Sequence, residues 1–532
     1  MALNDILLWI AGLSSASGLI GLVRARAWHS RRWFAIHALI LAATLVGWWW
    51  LPAIGGYLAG GLWALLVLPP MLGTRWIQQE IERQRFGRAL WIARVLGWLH
   101  PPDRDGWRER LFLLEALERM QQGDAEGAQR LLLECQASGT PLGRHAQMQL
   151  WRLSGRWEDI VSWGRTRLRV EELWEDPTLG LIYLRALGET GRLDELGRLF
   201  RRLAPLLDRA RPGASSLLDG FYLYLSAFAG RTAQVEAVLH TRLAGTPEST
   251  RRLWRATAEI AAGRGEAVRG ELEALCTHGD HLVRMSAAAR LKEGTPPPIL
   301  VSPEVEAVLA EIERRLDEEE RYGGTVPAAR SPWVTYVFIG LNLLVFGLEV
   351  VRGGSTDERV LYELGAFVPE AVRAGEWWRL LSSTFLHAGP VHLGLNLMGL
   401  YILGRPVEVG LGPLRYAVVY VVSGLSGGLV ALGLDALGWI GPRAMVGASG
   451  CVMGLVGANL AIFLRGWRRD RSQLARHRLR ETLSLLGLQV VFDLLTPQVS
   501  LLAHASGVGG GFLMTLLVGS HGSEPAAARA RT

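Results

Sequence analysis

Cysteine is scarce in this sequence, which has three in 532 residues: Cys135, Cys276 and Cys451. Their spacing shows no pairing and two of them lie inside helical patterns, so neither a disulfide scaffold nor a cysteine zinc site is expected. A His-Glu-x-x-His motif is also missing, and the aspartate of the segment 433–435 does not stand in a Gly-x-Gly-Asp motif. These absences disfavour zinc and aspartyl protease sites, and we predict that the protein uses neither a metal nor a cofactor.

Charge is confined to particular stretches, and long charge-poor runs lie between them. The runs 4–23, 33–52 and 54–72 open the sequence. Each is about 20 residues long, the length at which a helix crosses a bilayer core. The first run carries Asp5, has no basic leader and is followed by further runs, so a signal peptide is the less favoured interpretation. Six more apolar runs follow a charged helical stretch: 332–351, 388–404, 413–433, 446–464, 481–495 and 499–519.

This alternation predicts an all-α polytopic membrane protein with a soluble helical domain inserted between two groups of spans. The segments 294–303 and 322–332 contain proline and glycine, and we interpret them as linkers around a charged helix. The expected parts are three N-terminal transmembrane helices in 1–73, a cytoplasmic helical-repeat domain with linkers in 74–328, a six-helix core in 329–520 and a disordered cytoplasmic tail in 521–532.

The arginines indicate the orientation of the chain, because cytoplasmic loops carry an excess of positive charge. The loop between the first two runs holds four arginines, whereas the loop around 52–56 has none, so the N-terminus is expected outside. The helical domain and the C-terminus then fall in the cytoplasm, and every strongly basic loop of the core lies on that same side. Tryptophans stand at span ends, where interfacial anchors are found: Trp48, Trp49, Trp50, Trp377, Trp378, Trp439 and Trp467.

A glycine recurs in the charged part of the chain, at Gly123, Gly155, Gly191, Gly230 and Gly263, with intervals of 32, 36, 39 and 33 residues. An alanine or aliphatic residue follows each glycine by five positions. We expect each glycine to end one helix just before the next begins. The period resembles a degenerate tetratricopeptide-type repeat of about 34 residues, with most of that family's aromatic positions missing, and a plain helical bundle is the alternative. A solenoid of this kind presents a groove to a cytosolic protein or peptide.

Three polar clusters interrupt the apolar runs of the core, where polar groups are costly. Gly447–Gly450 opens the fourth core run, Ala503–Gly507 lies in the sixth, and His387–Asn396 begins the second. All three runs are expected to pass from outside to inside, so the clusters share a similar depth near the outer face.

Ser449 and His504 form the candidate catalytic pair within these clusters. A serine in an apolar site needs a base to take its proton, and imidazole suits that task at neutral pH. Glycine pairs beside both residues let their helices approach closely. A packing motif without a catalytic role would contain the same glycine pairs. The three clusters together, rather than any one of them, favour the catalytic interpretation. The glycine pairs are Gly450/Gly454 and Gly507/Gly511.

Residues from about 332 to 519, a little over a third of the chain, resemble a rhomboid intramembrane serine protease. The resemblance implies that Ser449 is the nucleophile and that His504 is the general base and then the acid. It also implies an oxyanion hole made of Asn396, His392 and the backbone N–H of the serine. The motifs that carry the resemblance are Gly447-x-Ser449-Gly450, Ala503-His504-x-x-Gly507-x-x-x-Gly511, His387-x4-His392-x3-Asn396 and Trp378-Arg379.

The same resemblance gives supporting roles to further positions. It implies a structural His387 at the outer end of the second run, an interfacial loop shaped by Trp378 and Arg379, and a structural Glu408 near the inner end. One position departs from the family's pattern, because Met453 stands where an aromatic usually stacks on the histidine. A thioether also packs on imidazole, so we expect a working pair with altered histidine positioning.

We predict that the protein hydrolyses a peptide bond in or next to the transmembrane helix of a membrane-protein substrate. The site is expected to open to the outer face of a bacterial cytoplasmic membrane. No acidic residue is an obvious third triad member; Asp493, late in the fifth run, is interpreted as a helix-end or loop partner.

Two alternatives of other classes remain. An inactive rhomboid-like adaptor that binds transmembrane helices is disfavoured because Ser449 and His504 are both present. A transporter is disfavoured because paired intramembrane charges are missing. The formal net charge of +7 reflects the inner loops, so nucleic-acid binding is not inferred.

Overall fold

The computed structural model describes residues 3–24, 31–99, 104–136, 141–207, 215–294, 296–323, 331–439, 444–495 and 501–519. Within these ranges the protein is built of helices, and its one β-type contact is an isolated bridge between Phe367 and Met445. The predicted tail 521–532 lies outside them. In the described part of the chain, six helical stretches are long and apolar enough to cross a membrane, which confirms the all-α polytopic fold class. They are Asn4–Val23, Gly55–Ile81, Trp333–Val351, Pro413–Ala436, Ser449–Arg468 and Leu501–Val518.

The chain divides into two compact units, residues 2–314 and 315–532. The first apolar helix matches the prediction, and the second is a shorter apolar helix, Trp33–Trp49. The third extends past the predicted residue 72 to Ile81 and is interrupted at Val67, because the two prolines that follow cannot donate a backbone N–H. The opening helices are α1 (Leu3–Arg24), α2 (Arg31–Trp49), α3 (Gly55–Leu66), α4 (Leu68–Glu82) and α5 (Phe86–Leu99).

Five helix pairs follow in the first unit, and a left-handed glycine joins the two helices of each pair. The φ angles are 87° at Gly123, 64° at Gly155, 69° at Gly191, 71° at Gly230 and 80° at Gly263. The residue that follows each glycine donates its backbone N–H to the carbonyl of the residue five positions before it. This bond, together with a left-handed glycine, defines a Schellman helix end. The predicted glycine turns are therefore confirmed, while the resemblance to tetratricopeptide repeats stays a prediction.

The pairs are α6 (Arg104–Gln121) with α7 (Ala125–Gln136), α8 (Pro141–Leu153) with α9 (Trp157–Arg167), α11 (Pro177–Glu189) with α12 (Leu193–Leu207), α13 (Ser215–Phe228) with α14 (Thr232–His240), and α15 (Glu248–Ala261) with a 3-10 turn (Gly265–Val268) and α16 (Arg269–Leu275). The other helices of this region are α10 (Val170–Glu175), α17 (His281–Glu293) and α18 (Pro303–Tyr322).

The second unit contains the six predicted core segments as helices, but two of them differ from a simple span. The second segment is two short helices joined by a π-helical turn, Leu400–Gly404, a feature that is frequent at functional sites. The fifth begins at Gln473, among arginines, rather than at residue 481. The helices are α19 (Trp333–Val351), α20 (Glu358–Leu364), α21 (Pro369–Arg373), α22 (Arg379–Ser382), α23 (Pro390–Gly399), α24 (Arg405–Leu411), α25 (Pro413–Ala436), α26 (Ser449–Arg468), α27 (Gln473–Leu495) and α28 (Leu501–Val518).

Helix α26 is the central helix of the second unit. In its apolar stretch, 61% of the residues are buried inside the protein. In the other five candidate spans of the described residues, this share lies between 22% and 33%. The remaining apolar surface of those spans faces outward, as lipid-contacting helices require. A residue at the start of α26 is therefore surrounded by other core helices.

Candidate active site

Ser449 is the first residue of α26, and a backbone hydrogen bond holds the turn that precedes it. Gly447 has a φ of 126° and its N–H donates to the Ser383 carbonyl at 2.9 Å. A side chain at Gly447 would lie 2.7 Å from the His392 ring and 3.8 Å from the Asn396 amide nitrogen. The turn before Ser449 thus lies directly against the two predicted oxyanion-hole side chains.

The two predicted glycine pairs form the contact between α26 and α28. A Cβ on Gly507 would overlap the Gly450 carbonyl oxygen, and a Cβ on Gly511 would overlap the Gly454 carbonyl oxygen. Close backbone approach of this kind is what small-xxx-small pairs allow. Ala503, the neighbour of the candidate base, has its carbonyl 3.7 Å from a Cβ built on Gly450. Ser449 directly precedes Gly450, and His504 lies three residues before Gly507. Both residues therefore flank the same tight contact between α26 and α28.

His504 is held by an acidic side chain, that of Asp493. Its Nδ1 lies 2.8 Å from Oδ2 of Asp493, and the two residues are 7% and 4% exposed. The other oxygen, Oδ1, accepts a hydrogen bond of 2.8 Å from Gln489 Nε2. The interpretation of Asp493 as a helix-end or loop partner was wrong. The signal that favoured this contact was the presence of a carboxylate in an apolar run, which is costly unless the carboxylate is paired.

His387 supports the turn before Ser449 from a fully buried position. Its Nδ1 lies 3.1 Å from the Phe385 carbonyl oxygen, and its Nε2 accepts from the Ala448 N–H at 3.5 Å. The carbonyl can only accept, so Nδ1 carries the proton and Nε2 is free to accept. The backbone N–H of His387 donates to Oε1 of Glu349 at 2.8 Å. These contacts hold the turn before Ser449, and the structural role that the resemblance implies for His387 stays a prediction.

The two predicted oxyanion-hole residues lie one helical turn apart on α23. Asn396 is buried, and its Nδ2 donates to the His392 carbonyl at 3.2 Å. The amide has two N–H groups, so one remains for another acceptor. The ring of His392 packs edge-on against the ring of His387, with centroids 5.2 Å apart. Both side chains thus adjoin the Ser449 turn.

Arg379 anchors the loop between α19 and α23. Its Nη1 donates to the carbonyls of Tyr362 and Ala366 at 2.7 and 3.1 Å, and its Nε donates to Glu376 at 2.6 Å. Its guanidinium stands over the rings of Tyr362 and Trp378, 4.3 and 4.8 Å from their centroids. The buried arginine thus ties several short segments together, and the half-exposed Trp378 covers it.

Two further predicted positions lie on the helices of the site. Met453 is buried one turn after Ser449 on α26, and its packing on the histidine stays a prediction. The buried Glu408 accepts hydrogen bonds from the backbone N–H groups of Val334 and Thr335 at 2.9 and 2.8 Å. Those are orphan donors at the start of α19, and a carboxylate is favourable there. Among the described residues, no group of three or more His, Cys, Asp or Glu side chains is arranged to hold a metal ion.

Comparison with known proteins identifies the family. The rhomboid domain profile matches residues 374–521. The putative rhomboid protease YdcA of Bacillus subtilis (strain 168) is 32% identical over 146 residues, which are 27% of this chain and 69% of that protein. The chain belongs to the rhomboid family.

Two other relatives are matched over smaller shares of their own length. Rhomboid protease GluP of Bacillus subtilis is 29% identical over 203 residues, which are 38% of this chain and 38% of GluP. RHOMBOID-like protein 5 of Arabidopsis thaliana is 36% identical over 154 residues, which are 29% of this chain and 48% of that protein. The chain therefore spans less than half the length of these two relatives.

Proposed function

We propose that this rhomboid protein is an intramembrane serine endopeptidase with Ser449 as nucleophile and His504 as general base. The observation that carries the proposal is the close contact of α26 with α28 through Gly450 and Gly507. This contact lies beside both polar side chains. Since Asp493 binds Nδ1 of the histidine, Nε2 is the nitrogen that remains for proton transfer with Ser449.

The proposed reaction follows the serine-protease route. Ser449 Oγ attacks the scissile carbonyl carbon while His504 Nε2 takes its proton. The oxyanion accepts hydrogen bonds from the Ser449 backbone N–H, from Asn396 Nδ2 and from His392. Collapse of this intermediate breaks the C–N bond, and the histidine gives its proton to the departing amine. Water then hydrolyses the acyl-enzyme by the same sequence of proton transfers, with no metal or cofactor.

The proposed substrates are transmembrane helices of other membrane proteins. A helix protects its own carbonyls through internal hydrogen bonds, so the segment that is cut must unwind before it reaches the serine. Glycine and other poor helix formers reduce the free energy required for unwinding. We therefore expect cleavage near the outer end of a substrate helix, at small or helix-breaking residues.

We propose the orientation given by the arginines, in a bacterial cytoplasmic membrane. The N-terminus lies outside, the helical-repeat domain and C-terminus lie inside, and the site opens outward. Tryptophans at helix ends support this proposal, since Trp49, Trp377 and Trp439 are 74%, 57% and 75% exposed in the protein alone. Such rings are stabilised at a membrane interface.

We propose that the five helix pairs in 74–328 form a tetratricopeptide-like solenoid that binds a cytosolic protein or peptide. The repeated glycine turns support a regular stack. A groove bordered by α14, α15 and α16 is the candidate binding surface. A photo-crosslinking residue in place of the exposed Ala267 should capture a protein there, and its failure to do so would favour a plain bundle. The charged residues lining the groove are Glu236, Glu248, Arg252, Arg255, Glu259 and Glu271.

Cleavage by the purified full-length protein in liposomes tests the proposed activity. A single-span model substrate should be cut by the wild type but not by Ser449→Ala or His504→Ala. Ser506→Ala is the matched control, because that serine lies on α28 and donates its hydroxyl to the Leu502 carbonyl within the helix. An inert but folded wild type whose variants bind transmembrane helices equally well would instead support the adaptor alternative.

A further inference from the structure

The second half of α27 turns its apolar side chains outward, as a lipid-facing helix does, and buries a carboxylate. Within 481–495, the half of α27 that ends near His504, Asp493 is the one buried residue. Its large apolar neighbours are exposed: Leu488, Val490, Val491, Leu494 and Leu495. A charged side chain has therefore been placed inside the core, while the apolar ones face outward.

Burying a carboxylate is costly unless its oxygens are hydrogen-bonded. Both oxygens of Asp493 are occupied, one by His504 Nδ1 and the other by Gln489 Nε2, each at 2.8 Å. Gln489 lies one turn earlier on the same helix, so it fixes the rotation of the carboxylate plane. The arrangement aims one defined oxygen at one defined nitrogen of the candidate base.

We propose that Asp493 is the positioning residue of His504, which makes the site a Ser449–His504–Asp493 triad. The inference rests on the proposed protease function. A carboxylate that accepts from Nδ1–H fixes the imidazole tautomer and leaves the lone pair of Nε2 for Ser449 Oγ. When Nε2 takes the serine proton, the carboxylate stabilises the imidazolium. The proton then passes from Nε2 to the departing amine nitrogen, and no proton is transferred to Asp493.

The position of Asp493 on α27 makes the orientation of His504 depend on the position of that helix. Outward movement of the second half of α27 would take the carboxylate away from the histidine. The base is then correctly oriented only while α27 is seated against α28. Asp493 thus couples the position of one helix to the chemistry performed on two others.

The test compares kcat and KM of Asp493→Asn and Asp493→Glu with those of the full-length wild type in liposomes. Asparagine keeps the shape but also offers a donor to Nδ1, which favours the wrong tautomer. We expect its kcat to fall by roughly 10²-fold or more with KM nearly unchanged, and glutamate to restore part of the loss. Leu494→Ala, at the next position on the exposed face, is the matched control and should keep both constants.

Other outcomes contradict the inference in distinguishable ways. Unchanged kcat in Asp493→Asn, with Ser449→Ala inactive, would remove the triad and leave the dyad protease intact. Increased activity in Asp493→Asn would show that the carboxylate only restrains α27. An inert wild type would remove both the protease function and the triad. If Asp493→Asn does not fold, Gln489→Met takes its place, where a several-fold loss of kcat is expected and an unchanged kcat would overturn the inference.

Discussion

At the scale of single residues, the three histidines of the site have different hydrogen-bond partners and therefore different capacities. His387 is fully buried with both ring nitrogens engaged, so it has no capacity left for a substrate. His504 has its Nδ1 engaged by a carboxylate, which leaves Nε2 for proton transfer. His392 is only partly buried beside the turn of Ser449. This environment suits a donor that meets the substrate oxyanion.

His387→Phe should abolish most of the proposed cleavage while leaving the candidate pair Ser449 and His504 unchanged. The phenyl ring fills the same space but leaves the Ala448 N–H without its acceptor, and an unsatisfied buried donor costs about 1–3 kcal/mol. The turn before Ser449 should shift as a result. Thermal unfolding in detergent and initial cleavage rates measure the two effects. Full activity at wild-type stability would contradict the structural role.

Local motifs make Ser449 and His504 recognisable as a candidate catalytic pair, whereas no local motif shows the partner of the candidate base. Ser449 and His504 stand in short patterns with characteristic neighbours, which can be read without any tertiary information. Asp493 has no such pattern, and its role depends on how α27 lies against α28. The sequence showed only that its carboxylate stood in an apolar run, not which residue it would meet.

At the scale of elements, the close packing of α26 and α28 determines where the site forms. The backbones meet so closely at Gly450 and Gly507 that no room is left for a methyl group on Gly507. The starts of the two helices determine how deep the candidate site lies in the membrane, because Ser449 begins α26 and His504 lies in the first turn of α28.

Gly507→Ala tests this packing, with Gly509→Ala as the matched control. The first methyl would overlap the Gly450 carbonyl oxygen, whereas nothing lies within 4 Å of the second. Overpacking typically costs about 1–3 kcal/mol, so Gly507→Ala should lower the unfolding temperature and reduce cleavage strongly. Gly509→Ala should be close to wild type in both measurements. Equal behaviour of the two variants would mean that the helix contact is not tight.

Elements were predictable where one residue type determines local geometry. The five repeat glycines have the left-handed φ that a helix end requires, as expected from their spacing. The third apolar helix and the second core segment were not predicted in detail. Hydropathy alone does not show where a helix is interrupted: the break at Val67 comes from the two prolines that follow it, and the second core segment contains the π-helical turn Leu400–Gly404.

At the scale of the whole molecule, the proposed topology puts the site and the helical-repeat domain on opposite faces of the membrane. The distribution of arginine supports this arrangement, because the loop between the first two runs holds four arginines and the segment 465–480 holds seven, whereas the loop around 52–56 has none. Substrate entry and partner binding would then occur in different compartments. A cytosolic partner would have to act on cleavage through the helices rather than by contact with the site.

Single cysteines at the two loops around α26 test the topology. In intact cells, a membrane-impermeant maleimide should label Trp439→Cys above the background of the unsubstituted chain. Arg469→Cys should react only after the membrane is opened. Both positions are exposed, so accessibility depends on the side of the membrane alone. The reverse pattern would invert the proposed orientation.

The most direct test of the central claim is to locate the activated serine chemically. A fluorophosphonate reacts with a serine whose hydroxyl is activated by a base. Mass spectrometry of the labelled full-length protein should find one adduct, on the peptide that contains Ser449. Labelling should disappear in Ser449→Ala and fall sharply in His504→Ala. An adduct on another serine, or undiminished labelling of Ser449 without His504, would contradict the account.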